Sequence, residues 1–588
     1  MTPEEAARHE LFAGWVTAAK NAKKPIEWEW FVRKNYLDGN HWVRFNQSTQ
    51  AIEQVSSGNK FNVTINQVYR ITRAVRAYVT KHQPRWEVMA QDIEHKVYEK
   101  SVASERLLDT YYFEEKMRKK MKEIVYDALY ASVGHLWFWW DASQRWLRCI
   151  GVDPWDFIPD PTAHDTLEYS DAQFVARAES VKAKEIRNDK RYKHADLVVA
   201  DNLLAASDMK ATLLQLTSGL DSKSWTNQKD LDTVLRIEMY YRTENANALG
   251  GHINHCIFTA TATLVDEPTR FKSMPVRTYH TDTETGKQYT QGWVKNLISP
   301  QKMLNTLESQ TLEYNHIFGK GRYVTEKGSG ATVIINKNGQ IIQKNKGTYF
   351  EQLAANAQPA TVDNQIVRSN RYMEDMGAAH DAFVGRMPTG ANSGVAIENL
   401  LLGEENNLTD LRDNLDEFLM STGRFILQCF ALHKMNIMMM FNTSPDKEEP
   451  DFYAAVGNKS PIRLNKTRIK FNGKDKEVPI SRILEDNNVR VTMGTWIGTN
   501  KLGSLDQLTK LAEAGLIDKQ TVLEFYNAPN IPRILERIGK EQTQAAMLQA
   551  ATTSAPGTMP AIEGNTPNAT IGANASAPSP GGAGAPAQ

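Results

Sequence analysis

The feature that most constrains the fold is a long helical periodicity between residues 297 and 441. Its first segment opens at Ser299-Pro300, because Ser is a favoured N-cap and Pro is pre-set for the first helical position. Residues that can face a core then recur at alternating steps of three and four, which predicts one apolar stripe on a helix. They are Leu304, Leu307, Thr311, Tyr314 and Phe318.

Two further helical segments follow, and a β-like insert separates the first of them from the opening helix. The insert is rich in Gly and runs from Gly319 to Val362. The step pattern resumes between Ile366 and Phe383, so two helices flank a small β module. A last segment, Val395 to Phe441, predicts a helix on the order of 70 Å long if unbroken, at roughly 1.5 Å per residue.

A loop joins the second and third helical segments. It spans Val384 to Gly394, and its helix-breaking residues are spaced too closely for a regular element to persist. They are Gly385, Pro388, Gly390 and Gly394. Arg386 is the one charged residue in this loop.

Helices of this length need a packing partner, since most helical stability comes from burying an apolar face. Side-by-side copies of the chain would provide that partner. We therefore interpret residues 299–441 as a rigid post and a spanning strut in a symmetric oligomer. An ordinary helical domain with one mobile loop would show the same periodicity, so that alternative stays open.

The order and composition of these segments resemble the portal proteins of tailed bacteriophages, the head-to-tail connectors. The resemblance implies an α+β, portal-type fold that forms a ring. In chain order its parts would be the wing 1–297, stem helix 298–318, clip 319–362, second stem helix 363–383, tunnel loop 384–394, long spanning helix 395–441, strands returning to the wing 442–500, crown helices 501–550 and a tail 551–588. The Ala/Pro/Gly-rich composition of the tail predicts disorder.

The N-terminal body adds three motifs that are similar to portal patterns. The first is Tyr36-x-x-Gly39-x-x-Trp42, at the end of a predicted second helix. The second is Thr64-Ile65-Asn66, followed some twenty residues later by Pro84-Arg85 and a strand. The third, and the most specific locally, is the Pro-punctuated turn Phe157-x-x-Asp160-Pro161.

Local patterns in this body predict several elements. Thr2, Pro3 and Glu5 form a capping box for a first helix to about Asn21. A second helix ends at Gly39, and a long one runs from Val97 to about Leu129. An aromatic hairpin, residues 134–152, is expected to bury its rings, because a stacking platform for single-stranded nucleic acid would also need a basic groove.

Composition limits the functional classes. The chain has 69 basic and 69 acidic residues, and a neutral chain is a poor general DNA binder but suits a conduit through which DNA must slide. Three scattered cysteines argue against a disulfide framework. The most apolar run, Phe425 to Phe441, carries polar and charged residues, and the acidic N-terminus does not read as a signal peptide. We expect a soluble, unprocessed protein without a membrane segment.

Enzyme signatures are lacking, so we expect no catalytic residues, cofactor or metal. There is no P-loop, Gly-x-Ser-x-Gly, His-Glu-x-x-His or paired Cys-x-x-Cys sequence. His252-x-x-His255-Cys256 lacks the second ligand pair that a structural zinc site needs. Glu404-Glu405 is compatible with a two-metal nuclease but also with a helix surface.

The resemblance implies a mechanical role at the head–tail junction of a virion, after assembly in the host cytoplasm. Twelve copies would surround a channel through which double-stranded DNA passes without sequence specificity, with Arg386 touching phosphates. The clip would dock the large terminase subunit and later head–tail adaptors, and the body would meet major capsid and scaffolding proteins. Residues 319–347 of the clip contain one acidic residue, Glu326, and six basic residues that are candidates for docking. They are Lys320, Arg322, Lys327, Lys337, Lys344 and Lys346.

Two other classes stay open at this stage. One is a different ring or adaptor protein of the virion neck, which subunit count and terminase binding would distinguish. The other is a metal-dependent DNA-processing enzyme, which divalent-metal-dependent cleavage by purified protein would reveal.

Overall fold

A computed structural model describes most of the chain up to residue 493. The described residues are 1–46, 51–55, 61–81, 84–89, 95–201, 203, 205–218, 232–318, 322–327, 347, 349–353, 360–378, 406–433, 438–442, 451–455, 462–465 and 488–493. The chain divides into two units, residues 1–500 and 501–588. The predicted crown helices and tail fall in the second unit, which lies outside the described residues.

The described part is α+β, with helices packed on antiparallel sheets. Its helices are α1 Pro3–Asp38, α2 Gln67–Val79, α3 His95–Glu114, α4 Met117–Ala131, α5 Ala183–Asn188, α6 Asp208–Ser218, α7 Lys295–Phe318, α8 Ala360–Met376 and α9 Thr409–Leu432. The strands are β1 Val43–Asn46, β2 Ala51–Gln54, β3 Pro84–Met89, β4 Val133–Asp141, β5 Trp146–Val152, β6 Phe157–Pro159, β7 Phe174–Lys182, β8 Thr233–Arg242, β9 Ile253–Phe258, β10 Thr263–Pro268, β11 Val276–His280, β12 Arg322–Thr325, β13 Phe350–Leu353, β14 Met438–Asn442, β15 Asp451–Ala455, β16 Ile462–Asn465 and β17 Asn488–Met493.

Helix α1 is one continuous helix where the sequence predicted two. The capping box is present, and Gly39 ends the helix in the left-handed conformation with φ 89°, as expected. Pro25 lies inside the helix. Lys23, which is buried, donates to the carbonyl oxygens of Trp155 and Phe157 at 2.9 and 2.8 Å and holds the helix on the body across the proline.

The predicted helix from Val97 to Leu129 is broken into α3 and α4. Between them Lys116 takes a left-handed conformation with φ 52°. Glu115 turns inward and is buried, and it accepts from Trp146 Nε1 at 3.0 Å and Arg148 Nη1 at 2.8 Å. These bonds, and one from Lys120 Nζ at 3.0 Å, fix the break.

Two sheets form the body. The larger has five antiparallel strands in the order β10-β9-β8-β7-β6, and the first half of α1 packs on it through Phe12 and Val16. The smaller has the order β11-β4-β5. Its hairpin β4–β5 is the predicted aromatic hairpin, and Trp137, Phe138 and Trp146 are buried, which confirms the packing prediction.

The chain returns to the body after α9 through β17, which pairs antiparallel with β3. Strand β16, also within the predicted returning strands 442–500, pairs with β15 in a small sheet of order β14-β15-β16. Two further ladders, β1–β2 and β12–β13, have two strands each.

The predicted 70 Å helix does not reach Phe441. Helix α9 ends at Leu432, and β14 follows at Met438–Asn442. At 24 residues α9 is about 36 Å long. The run Met438–Phe441 is apolar at every position, so its sequence is compatible with a strand as well as with a helix. Pairing with β15 stabilises the strand. Residues 395–405 lie outside the described residues.

Candidate functional site

The candidate site is a hairpin of two helices, α7 and α8, with the β12–β13 ladder between them in the chain. The two helices pack side by side, and the ladder pairs Arg322 with Leu353 and Thr325 with Phe350. Helix α7 begins at Lys295, earlier than the predicted start at Ser299, so Pro300 lies inside the helix. Burial of Leu297 extends the packing of α7 to this first turn. Helix α8 ends at Met376, and residues 379–383 of the predicted second helix lie outside the described residues.

Helix α7 carries a buried row of polar side chains, Gln301, Asn305 and Ser309. They are four residues apart, which places them along one helix face. All three are at most 1% exposed. Buried polar groups need hydrogen-bond partners, so the row requires a polar surface opposite it.

Residues 63–67 provide that surface with their backbone. The N–H groups of alternate residues Val63, Ile65 and Gln67 donate to Ser309 Oγ at 3.0 Å, Asn305 Oδ1 at 3.3 Å and Gln301 Oε1 at 3.0 Å. Gln301 Nε2 donates in return to the Ile65 carbonyl at 2.7 Å. A helix face thus takes the place of a neighbouring strand. We call this contact, Gln301, Asn305 and Ser309 on residues 63–67, the polar ladder.

His41 closes the polar ladder on its other side. Its Nε2 lies 2.8 Å from the Tyr36 carbonyl oxygen and so donates, which leaves Nδ1 to accept from Asn305 Nδ2 at 2.7 Å. The ring stacks on Tyr36 with centroids 4.7 Å apart. Burial lowers the pKa of His41, so the neutral ring that this geometry requires is favoured.

Helix α8 is fixed to the body through α2. Arg70 on α2 and Glu374 on α8 form an ion pair with 2.7 Å between Nη2 and Oε1. Just past the end of α8, Gly377 approaches Ile71 so closely that a Cβ atom there would lie 2.5 Å from Ile71 Cγ2. Met373, fully buried, completes this contact region.

Helix α9 is held by side chains that donate to its carbonyl oxygens. Tyr279 Oη donates to the carbonyl of Leu411 and Trp86 Nε1 to that of Leu419, both at 2.9 Å. The buried Arg277 guanidinium lies 4.5 Å from the centre of the Phe425 ring. These contacts fix α9 on the smaller sheet and on the β17–β3 ladder.

The histidine pair that resembled half of a zinc site has other partners. His255 Nε2 lies 3.1 Å from Glu238 Oε1, and its Nδ1 lies 3.6 Å from Glu267 Oε1. Despite burial, these carboxylates raise the pKa of His255 to about 9. His255 and Arg177, which also pairs with Glu238, lower the pKa of Glu238 to about 2 against the effect of burial. The group is a buried ionic network on the larger sheet.

The described residues contain neither a metal-binding cluster nor a helix suited to a membrane. Among them no cluster of three or more His, Cys, Asp or Glu side chains has a geometry that would hold a metal ion. None of the described helices is both long enough and apolar enough to cross a bilayer.

Comparison with known proteins decides the family. The model of the phage P22-like portal protein family matches residues 23–575, which is nearly the whole chain. The chain belongs to the phage P22-like portal protein family. No curated protein matches the chain in the same comparison. The portal family is structural rather than catalytic, and membership places the chain at the capsid vertex of a phage particle.

Portal membership agrees with the resemblance read from the sequence, but the predicted channel residues lie outside the described residues. These are Arg386, Gly385, Pro388, Gly390 and Gly394. Of the predicted clip residues, Lys320, Lys337, Lys344 and Lys346 also lie outside them. Arg322 belongs to β12, and Lys327 is exposed just after that strand. The roles of the channel and clip residues stay predictions.

The polar ladder of this portal protein was not foreseen from its sequence. The signal that identifies it is the spacing of Gln301, Asn305 and Ser309, a row of uncharged polar residues beside the apolar stripe of α7. Such a row indicates a buried polar contact only when a second segment with free backbone groups is known.

Proposed function

We propose that this portal protein forms the ring-shaped channel at one capsid vertex through which viral double-stranded DNA is packaged and ejected. The observation that carries the proposal is the portal family match from residue 23 to residue 575. Its terminase, head–tail adaptor, scaffolding and major capsid partners would meet the ring from outside. Assembly would take place in the host cytoplasm, and twelve copies are the number that the portal family implies.

The α7–α8 hairpin supports a channel wall. It is a pair of packed helices, and the polar ladder and the Arg70–Glu374 ion pair attach its two helices to the N-terminal body. Forces on the hairpin would pass into the body through these contacts. Repeated around an axis, such hairpins would line an opening without needing mobile parts of their own.

The balanced charge of the chain favours a channel in which DNA slides and not one that binds DNA tightly. Affinity for duplex DNA rises steeply with each neutralised phosphate, so a channel with many basic contacts would hold the DNA. With 69 basic and 69 acidic residues, the chain has no general excess of positive charge. Arg386 in the predicted tunnel loop would then touch phosphates one at a time.

The β12–β13 end of the hairpin is the proposed docking platform. Residues 319–347 carry six basic residues and one acidic residue, Glu326, which would suit an acidic surface on terminase and then on an adaptor. Electrostatic attraction of this kind mainly speeds association and weakens as salt rises.

Electron microscopy combined with a packaging assay tests the proposed function. Purified wild-type protein is expected to form closed rings with a central opening. Procapsids built with it are expected to protect phage DNA from nuclease when terminase and ATP are added. Rings that never enter procapsids would favour a neck adaptor, and a protein that remains a single subunit at high concentration would refute the channel.

A further inference from the structure

The face of α4 just after the α3–α4 break carries free positive charge. Arg118 and Lys122 are exposed and four residues apart, so they form one edge of the helix. Neither is part of an ion pair among the described residues, whereas the neighbouring Lys119 pairs with Glu123. We call Arg118 and Lys122 the basic edge. Phe113 lies beside it at the end of α3 and is 67% exposed.

Helix α9 carries a matching negative edge. Asp413 and Glu417 are exposed and also four residues apart. In the described part of the chain neither forms an ion pair with a basic side chain. Acidic side chains in the first turn of a helix interact favourably with the positive end of the helix dipole. This interaction accounts for Asp410 but not for Asp413 and Glu417, which lie further along. We call Asp413 and Glu417 the acidic edge.

No ion pair joins the two edges within the described residues. An ion pair needs about 4 Å between the charged atoms. In the described part of the chain, both edges are therefore left without a charged partner.

We propose that the basic edge of one copy binds the acidic edge of the next copy. The inference rests on the proposed ring, and it names a contact that would build it. The contact joins two different surface patches of the chain, which is the head-to-tail arrangement that generates rings. In both edges the side chains are four residues apart, roughly 6 Å along the helix, so two ion pairs would align at once.

Charge reversal tests this contact. One variant carries Arg118→Glu and Lys122→Glu, and a second carries Asp413→Lys and Glu417→Lys. Each alone sets like charges against each other at every junction, and we expect the ring fraction at low salt to fall roughly tenfold or more, measured by mass photometry and negative stain. Circular dichroism melting checks that both variants are folded.

The decisive experiment mixes the two variants. In an alternating ring every junction again joins opposite charges, so we expect the mixture to form rings with an even number of subunits. A chain that carries all four substitutions is also expected to form rings. Rings from this fourfold variant but not from the mixture would mean that the edges meet within one chain, and would overturn the inference.

Two further outcomes separate this inference from the proposed function. If both double variants form rings as well as the wild type does, the contact is refuted while the channel stands. If the wild type forms no ring, the proposed channel function is refuted, and the contact between the two edges is refuted with it. The matched control reverses two exposed lysines elsewhere, Lys184→Glu with Lys190→Glu, and is expected to leave the ring fraction unchanged.

Discussion

Replacing Asn305 by Ala would test whether the polar ladder holds the α7–α8 hairpin on the body. Asn305 makes three hydrogen bonds through its side chain: it accepts from Ile65 N–H and from Gln301 Nε2, and it donates to His41 Nδ1. Alanine keeps the helix, since it has the highest helix propensity, and removes all three bonds.

The expected cost follows from what would be left without a partner. Two of the orphaned atoms, the Ile65 amide nitrogen and His41 Nδ1, are shielded from water, and each unsatisfied group costs about 1–3 kcal/mol. Gln301 Nε2 keeps its bond to the Ile65 carbonyl and adds little. We therefore expect residues 63–67 to open more easily by about 2–3 kcal/mol, which corresponds to roughly 30- to 150-fold faster exchange.

Hydrogen exchange read by mass spectrometry on peptides covering residues 61–68 measures this opening. Gln310→Ala is the matched control, because Gln310 is exposed on the same helix and its loss should change exchange by a factor of about two at most. Unchanged protection of residues 63–67 in Asn305→Ala would refute the idea that the side chains of α7 hold this segment.

Four other outcomes are expected. Lowering the pH from 7.5 to 5 should reduce the protection of residues 63–67 relative to the intrinsic exchange rate at each pH. The lowered pKa of His41 means that its contribution to stability is complete above the ordinary histidine pKa and is lost as pH falls, and the effect should vanish in His41→Ala. Glu238→Gln should destabilise the body by about 3–5 kcal/mol in thermal melts, since it leaves buried charge uncompensated, while the exposed Glu244→Gln should not. Glu238, with its pKa of about 2, contributes fully to the free energy of unfolding above the ordinary glutamate pKa, and this contribution is lost on strong acidification. His255, with its pKa of about 9, contributes fully below the ordinary histidine pKa, and its contribution is lost as pH rises through 9. The network should therefore stabilise the body most between about pH 4.5 and 6.5. Gly377→Ala should cost about 1–3 kcal/mol through the clash with Ile71, whereas Gly14→Ala, which meets nothing within 4 Å, should stabilise α1 by about 0.5–1 kcal/mol; equal melting temperatures for the two would contradict the close approach. Arg386→Glu should reduce DNA packaging and retention in the nuclease-protection assay, and unchanged packaging would remove Arg386 from the channel.

Local signals in the sequence were sufficient where side chains act on neighbouring backbone. The capping box at Thr2 and the left-handed Gly39 both follow from such rules, and both are present. The aromatic hairpin was also predictable, because two runs of strand-forming residues around a short turn are short-range features.

Long-range contacts decided the elements that were wrongly bounded. The sequence predicted a break in α1 after about Asn21, but Lys23 ties that part of the helix to residues 155 and 157. Conversely, the pattern across Glu115 suggested one helix, and bonds from Trp146 and Arg148 broke it. Neither partner is near in sequence, so no local rule could weigh these contacts.

The candidate site shows the same division. The periodicity of α7 and α8 could be read directly, and so could the β module between them. The polar ladder joins residues separated by more than 230 positions in the chain, so the sequence around its row of polar residues did not indicate a buried contact.

The polar ladder also has a consequence for solubility. Aligned, unpaired amide groups on an extended segment form an edge to which a strand from another molecule can add, and such edges promote aggregation. Residues 63–67 offer three such groups, and the side chains of α7 occupy all of them. The side chains of α7 thereby keep this route of association between molecules closed.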